Sequence, residues 1–88
     1  MRNLSVVILT KNVQSTIKAA IASALLVSDD VVIVDSGSTD ATLSIARQYG
    51  VSVVPIQWNG YGDARNHGAS KAKGAYILNI DADEVITE

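Results

Sequence analysis

The chain has 88 residues, a net charge of −2 and no cysteine. That bounds it to one domain, excludes a disulfide framework, a thiolate metal site and a cysteine nucleophile, and argues against nucleic acid as a partner, since no basic patch is present. Hydrophobic residues make up 48%, yet there is no Phe, one Trp and three Tyr; branched aliphatics without aromatics suit strands buried on both faces of a parallel sheet.

The apolar run that follows Met1-Arg2 is too short for a signal peptide and leads into no small-residue cleavage site. No stretch approaches the roughly 20 apolar residues of a membrane span. The first run, residues 4–9, is instead read as a buried strand, broken by Thr10-Lys11-Asn12. A helix is predicted over residues 14–26, where Ile17, Ala20, Ile21, Ala24 and Leu25 recur at helical spacing. Asn12 or Ser15 is the candidate cap. Residues 31–34 form a second buried strand ending on Asp35. The loop Ser36-Gly37-Ser38-Thr39-Asp40 opens a helix over residues 40–49, with Ser38 as N-cap, Asp40 at the positive end and Gly50 as the stop. Residues 51–56 form a third strand, placed at an edge because Pro55 cannot donate to a ladder. After the loop Gln57-Trp58-Asn59-Gly60-Tyr61-Gly62, a third helix is predicted over residues 63–73, stopping at Gly74. Residues 75–80 form the fourth strand, which runs into Asp81-Ala82-Asp83-Glu84.

This alternation implies an α/β domain with a mainly parallel sheet. Right-handed crossovers leave few topologies, of which 3-2-1-4 is the simplest. Ligands of such sheets bind outside the carboxyl ends of the strands, where the order reverses. Thr10-Lys11-Asn12, Asp35 and Asp81-Ala82-Asp83 would gather there. Asp35-Ser-Gly-Ser-Thr-Asp40 has two readings: Asp35 accepts hydrogen bonds from a nucleobase or ribose, or the segment is a capped turn in which each residue has a local task. It lacks the glycine spacing and lysine of a phosphate loop. Two carboxylates at the end of an apolar strand are costly to hold together without a cation. Mg²⁺ or Mn²⁺ binds one or two carboxylates and completes its shell with phosphate oxygens and water; the alternative is a solvated acidic turn. Arg65 suits a phosphate or base edge, or a solvated helix face. His67, the only histidine, is assigned a surface role. Trp58 either stacks on a ligand or pins its loop to the sheet.

Four segments in order, Ser5-Val-Val-Ile-Leu-Thr-Lys-Asn12, Val34-Asp-Ser-Gly-Ser-Thr-Asp40, Gly62-Asp-Ala-Arg-Asn66 and Asp81-Ala-Asp83, resemble the N-terminal half of a family 2 glycosyltransferase. The Trp58-Asn-Gly-Tyr-Gly62 loop with Asp81-Ala-Asp-Glu84 is similar to bacterial lipopolysaccharide-core sugar transferases. The resemblance implies a Rossmann-like GT-A fold, here truncated to the nucleotide-diphosphate-sugar-binding half over residues 1–88, and an inverting transfer of a hexose from a nucleotide donor, UDP-linked in most of the family, to an acceptor hydroxyl in surface polysaccharide or lipopolysaccharide synthesis. It implies that Thr10 and Asn12 border the nucleotide, that Asp35 contacts the base, that Arg65 helps hold the nucleotide, that Asp81 lies near the ribose and that Asp83 binds Mg²⁺ or Mn²⁺. The general base is expected beyond Glu88, so the isolated chain is expected to lack turnover. Carbohydrate or lipid-linked acceptors, a cytoplasmic location at the inner face of the membrane for the full-length protein, and self-association through the open edge of the fourth strand are further expectations. Two rival readings are a haloacid-dehalogenase-like phosphatase, for which Asp81-Ala-Asp-Glu-Val85 matches the nucleophile motif, and a non-catalytic nucleotide-binding module.

Overall fold

The computed structural model describes residues 4–81. Strands β1 (Leu4–Thr10), β2 (Asp30–Asp35), β3 (Ser52–Pro55) and β4 (Tyr76–Asp81) alternate with helices α1 (Ile17–Val27), α2 (Thr42–Gln48) and α3 (Tyr61–Lys71). The sheet is parallel throughout, in the order β3-β2-β1-β4, the simplest of those that the alternation and crossover rules leave. Pro55 ends the edge strand, level with Asp35. No helix among the described residues is long and apolar enough to cross a membrane.

The strands at the centre, β1 and β2, are buried on both faces, which is why they read as unbroken Val-Ile runs. On one face Val6, Ile8, Val31 and Ile33 meet Ile17, Ala20, Ile21 and Ala24 of α1 and Ala46 of α2. On the other, Val7, Val32 and Val34 meet α3 through Ala64. The two faces are built differently. Branched side chains fill the first, while α3 buries only Ala64 and Gly68. Small residues there let the α3 backbone approach the sheet closely: a Cβ at Gly68 would stand 2.4 Å from Val7 Cγ1 and 3.1 Å from Val34 Cγ2.

Where α3 exits, a polar anchor replaces apolar packing. The Ser5 hydroxyl donates to Asp30 Oδ2 at 2.5 Å and accepts from the Gly74 N–H at 2.8 Å. The Lys73 N–H donates to the same carboxylate oxygen at 2.7 Å. Burial by itself would raise the Asp30 carboxyl, but the bonds from Ser5 and Lys73 and the Lys73 charge hold it below its usual value.

Helix boundaries shift from those predicted, for local reasons. Helix α1 starts at Ile17, not residue 14; residues 14–16 form a turn closed by the Thr16 and Ile17 N–H groups on Val13 O, while the N–H groups of Val13 and Gln14 donate to Thr42 Oγ1 and Asp40 Oδ2. Neither Asn12 nor Ser15 caps it; Thr16 precedes its first residue without a side-chain cap. Helix α2 is not capped by Ser38. Asp40 Oδ1 accepts from the Thr42 N–H at 2.9 Å, while Ser38 serves Asp35 instead. Gly50 does end the helix region, at φ 69° with its N–H on Arg47 O. Helix α3 begins at Tyr61, two residues early, after Gly60 at φ 90°, and it ends at Lys71 before reaching Gly74.

Gly68→Ala is expected to destabilise the chain by about 1–3 kcal/mol, because α3 must lift off Val7 to admit the methyl group. Gly62, in the same helix with nothing within 4 Å of a Cβ, is the control: Gly62→Ala is expected to be neutral or to stabilise by up to about 1 kcal/mol. Urea unfolding of both variants checks the pair.

Candidate functional site

At the carboxyl edge of the sheet, Thr10 and Asp35 end adjacent strands as register partners. The Asp35 carboxylate is 1% exposed, which is tolerable only with full hydrogen bonding. Its Oδ1 accepts from Thr10 Oγ1 at 2.6 Å and from Ser38 Oγ at 2.5 Å. Its Oδ2 accepts from the N–H groups of Gly37 at 3.0 Å and Ser38 at 2.8 Å. Burial pushes this carboxyl up, but the bonds from Ser38, Thr10 and Gly37 outweigh it and hold the group below the ordinary carboxylate range. The turn that delivers both N–H groups places Gly37 at φ 107°, a conformation that glycine adopts without strain.

A second network ties this turn to the end of β1. Asn12 sits in the left-handed region at φ 51°. Its N–H donates to Ser38 Oγ at 2.8 Å, and its Oδ1 accepts from the Thr39 N–H at 2.7 Å and the Asp40 N–H at 3.3 Å. The Gln14 N–H donates to Asp40, and Gln14 Oε1 accepts from the Ala41 N–H at 2.9 Å. The first two β-to-α loops are thus clasped together by side chains that exchange caps.

Between the clasped loops and α3 lies a cleft of about 370 Å³ lined by Leu9, Thr10, Lys11, Ser36, Trp58 and Tyr61, within the usual size of small-molecule sites. Ser36 faces it directly, with its N–H held by Thr10 O at 3.1 Å. Lys11 Nζ reaches Ser36 O at 3.5 Å. Trp58 and Tyr61 meet edge to face, centroids 4.9 Å apart and planes at 89°. The Arg65 guanidinium lies 5.6 Å from the Tyr61 ring centroid.

Of the residues expected at the site, Thr10 is at the cleft. Asp35 lies behind it with its acceptors engaged inside the chain, and Asn12 fastens the loops. Arg65 adjoins the cleft through Tyr61. Asp81 closes β4, level with Leu9, one residue short of Thr10. Asp83 lies outside the described residues. His67 is exposed, as expected, with Nε2 3.4 Å from Asp63 Oδ2. Ser36 and Tyr61 were missed from the sequence. For Tyr61 the available signal was its place three residues after Trp58 at a helix start; for Ser36 there was none, since it is one of several turn serines. A further groove, of about 500 Å³, runs along Pro55, Ile56, Gln57, Trp58, Asn59, Asp63 and His67, beside the edge strand and away from the order reversal between β1 and β4.

The family model for glycosyl transferase family 2 matches residues 5–88. A Rickettsia felis protein named as an uncharacterized glycosyltransferase is 41% identical over all 88 residues, which make up 31% of its length. A lipopolysaccharide core biosynthesis glycosyltransferase of Rhizobium meliloti is 37% identical over 60 residues, 62% of this chain and 22% of that one. Among solved structures, S. aureus TarS superposes with a TM-score of 0.81 at 32% identity, covering 97% of this chain and 28% of that one. Glucosyl-3-phosphoglycerate synthase from Mycobacterium tuberculosis, in complex with Mn²⁺, UDP and glucosyl-3-phosphoglycerate, gives 0.78 at 31% identity, covering 92% and 33%. The chain therefore spans between about a fifth and a third of the length of these proteins. The phosphatase alternative, whose motif covers only residues 81–85, gives way to a family match over residues 5–88. From the four segments in order, the 3-2-1-4 sheet and these relatives together, the chain belongs to glycosyl transferase family 2.

Proposed function

We propose that these 88 residues form the donor-binding half of an inverting glycosyltransferase, holding a nucleotide-diphosphate sugar, UDP-linked, for transfer of a hexose to an acceptor hydroxyl in bacterial surface polysaccharide or lipopolysaccharide synthesis. The observation that carries this is the gathering of Thr10 and Ser36, at the carboxyl ends of adjacent strands, with Trp58 and Tyr61 around one cleft, next to the strand β1 at which the sheet order reverses. Relatives named for lipopolysaccharide core and succinoglycan biosynthesis support the pathway class. Neighbours crystallised with UDP and Mn²⁺ or Mg²⁺ support the ligand class.

In this reading Thr10 and Asn12 border the nucleotide, Arg65 steadies it from α3, and Asp81 lies near the ribose. Asp35 acts on the base by fixing the turn that presents Ser36 and the neighbouring backbone. Asp83 holds the divalent ion. The donor set fits Mg²⁺ or Mn²⁺, which take one or two carboxylates and fill their remaining positions with phosphate oxygens and water. When bound, the ion stabilises the leaving diphosphate as a Lewis acid. The acceptor site and the general base are proposed to lie outside residues 1–88, in a full-length protein working in the cytoplasm at the inner face of the membrane. The outer edge of β4, where Tyr76 is 70% exposed, is proposed to pair with a second strand, from another copy in the isolated chain. A monodisperse monomer in light scattering at high concentration would count against that pairing.

Calorimetric or NMR titration with UDP, with and without Mn²⁺, tests the nucleotide reading. Weak binding enhanced by Mn²⁺ is expected, lost in Asp83→Ala and reduced in Asp35→Ala. Equal binding by wild type and both variants would overturn the site assignment.

The role given to Asp35 also has a pH signature. Its folded-state pKa is depressed, so its contribution to stability is complete above the unfolded value of about 3.9 and is lost as pH falls through the folded value. Asp35→Asn is expected to cost about 1–3 kcal/mol near neutral pH and to flatten the acid limb of the stability curve. Asp30 and Asp40, both also depressed, leave part of that limb in place. Denaturant melts between pH 3 and pH 7 read both effects.

A further inference from the structure

Trp58 and Tyr61 are 51% and 56% exposed, and neither belongs to the packed clusters on the two faces of the sheet. Large rings left half in water at the carboxyl edge are not explained by the core. They form one side of the 370 Å³ cleft, facing Thr10, Lys11 and Ser36 at the ends of β1 and β2. The rings are already held in place, edge to face on each other and with the Arg65 guanidinium against Tyr61. Little side-chain freedom is left to lose when a flat ligand docks. The described lining carries one cation, Lys11, and no carboxylate, which suits the aromatic end of an anionic ligand.

We propose that Trp58 and Tyr61 form the stacking wall for the base of the donor nucleotide and that they supply affinity without choosing the base. The inference rests on the nucleotide reading above and adds the residues that grip the base face. Every nucleobase presents a π-face, so stacking tolerates exchange of one base for another. Discrimination then falls to groups that meet the base edge, and Ser36, whose hydroxyl reaches Thr10 O only at 3.4 Å, is a polar side chain on the described lining outside the Asp35 carboxylate's own partners.

The test uses the 88-residue chain with Mn²⁺ and four ligands: UDP, CDP, GDP and pyrophosphate. Trp58 is the only tryptophan, so its fluorescence reports on the wall directly. All three nucleotides are expected to change that emission, and pyrophosphate is expected to leave it unchanged. Trp58→Ala should weaken the three nucleotides by a common factor of about tenfold and leave pyrophosphate unaffected; Trp58→Phe should retain most of the affinity. Tyr61→Ala, on the exposed first turn of α3, provides a second variant with the same expected loss should Trp58→Ala fail to fold. If UDP binds by calorimetry with no change in emission and with unaltered affinity in these variants, the stacking wall is wrong and the nucleotide reading stands. A loss confined to one base would overturn the claim that the wall is indifferent to the base. If no nucleotide binds the wild-type chain, both readings fall.

Discussion

The buried carboxylate of Asp35 is the constraint on which the rest of the site depends. A charged group that is 1% exposed must be satisfied where it stands, because an unpaired charge at that depth costs more than a small domain can spare. Satisfaction requires Thr10 to end β1 level with it and requires the chain to fold back so that two consecutive N–H groups point at one oxygen. That turn places Ser36 on the cleft and Ser38 against both Asp35 and the Asn12 N–H. Asn12 in turn binds two amides of the loop ahead of α2. One desolvated charge therefore fixes two loops, and the wall of the cleft comes with them.

The opposite wall depends on a different kind of contact. Helix α3 has almost no apolar face to bury, and it is seated by the near-contact of Gly68 with Val7 and by the Asp30-Ser5 anchor at its exit. Tyr61 and Arg65 stand on the first two turns of that helix. Their placement over the cleft is thus set by how closely the backbone near Gly68 approaches β1. Packing on one face of the sheet and ligand geometry at its edge are coupled through a rigid helix, so a change at Gly68 acts on the cleft without touching it.

The architecture was legible because its determinants are local or nearly so. Val31-Val-Ile-Val34 reads as a strand buried on both sides, Pro55 marks an edge, and the alternation of elements leaves 3-2-1-4 as the simplest order. The clasp between loops was not legible. Asn12, Ser38 and Asp40 are all good cap residues, and the sequence nominated Asn12 and Ser38 for the helices that follow them. The structure pairs Asn12 with residues 27 and 28 positions away, because the parallel β1-β2 register brings the two loops side by side. Spacing along the chain carries no record of that exchange. Gly68 was equally silent: a glycine inside a helix looks like a weakness until the valine beneath it is known.

On the proposed reading, the acidic residues that the sequence places at and after the end of β4 give a metal ion its role. Asp35 is compensated by its own hydrogen bonds and projects little uncompensated charge towards a ligand. Asp81 ends β4 level with Leu9, and Asp83 follows two residues later in the sequence. On the proposed reading a diphosphate held near them would meet like charge, and Lys11, held only loosely at 3.5 Å from Ser36 O, is a flexible monovalent group that cannot bridge two anions in fixed geometry. A divalent ion can, since it binds carboxylate and phosphate oxygens together. On that reading the same carboxylates that would repel the donor alone become its attachment once the ion is present, so donor affinity and metal occupancy would be linked through them.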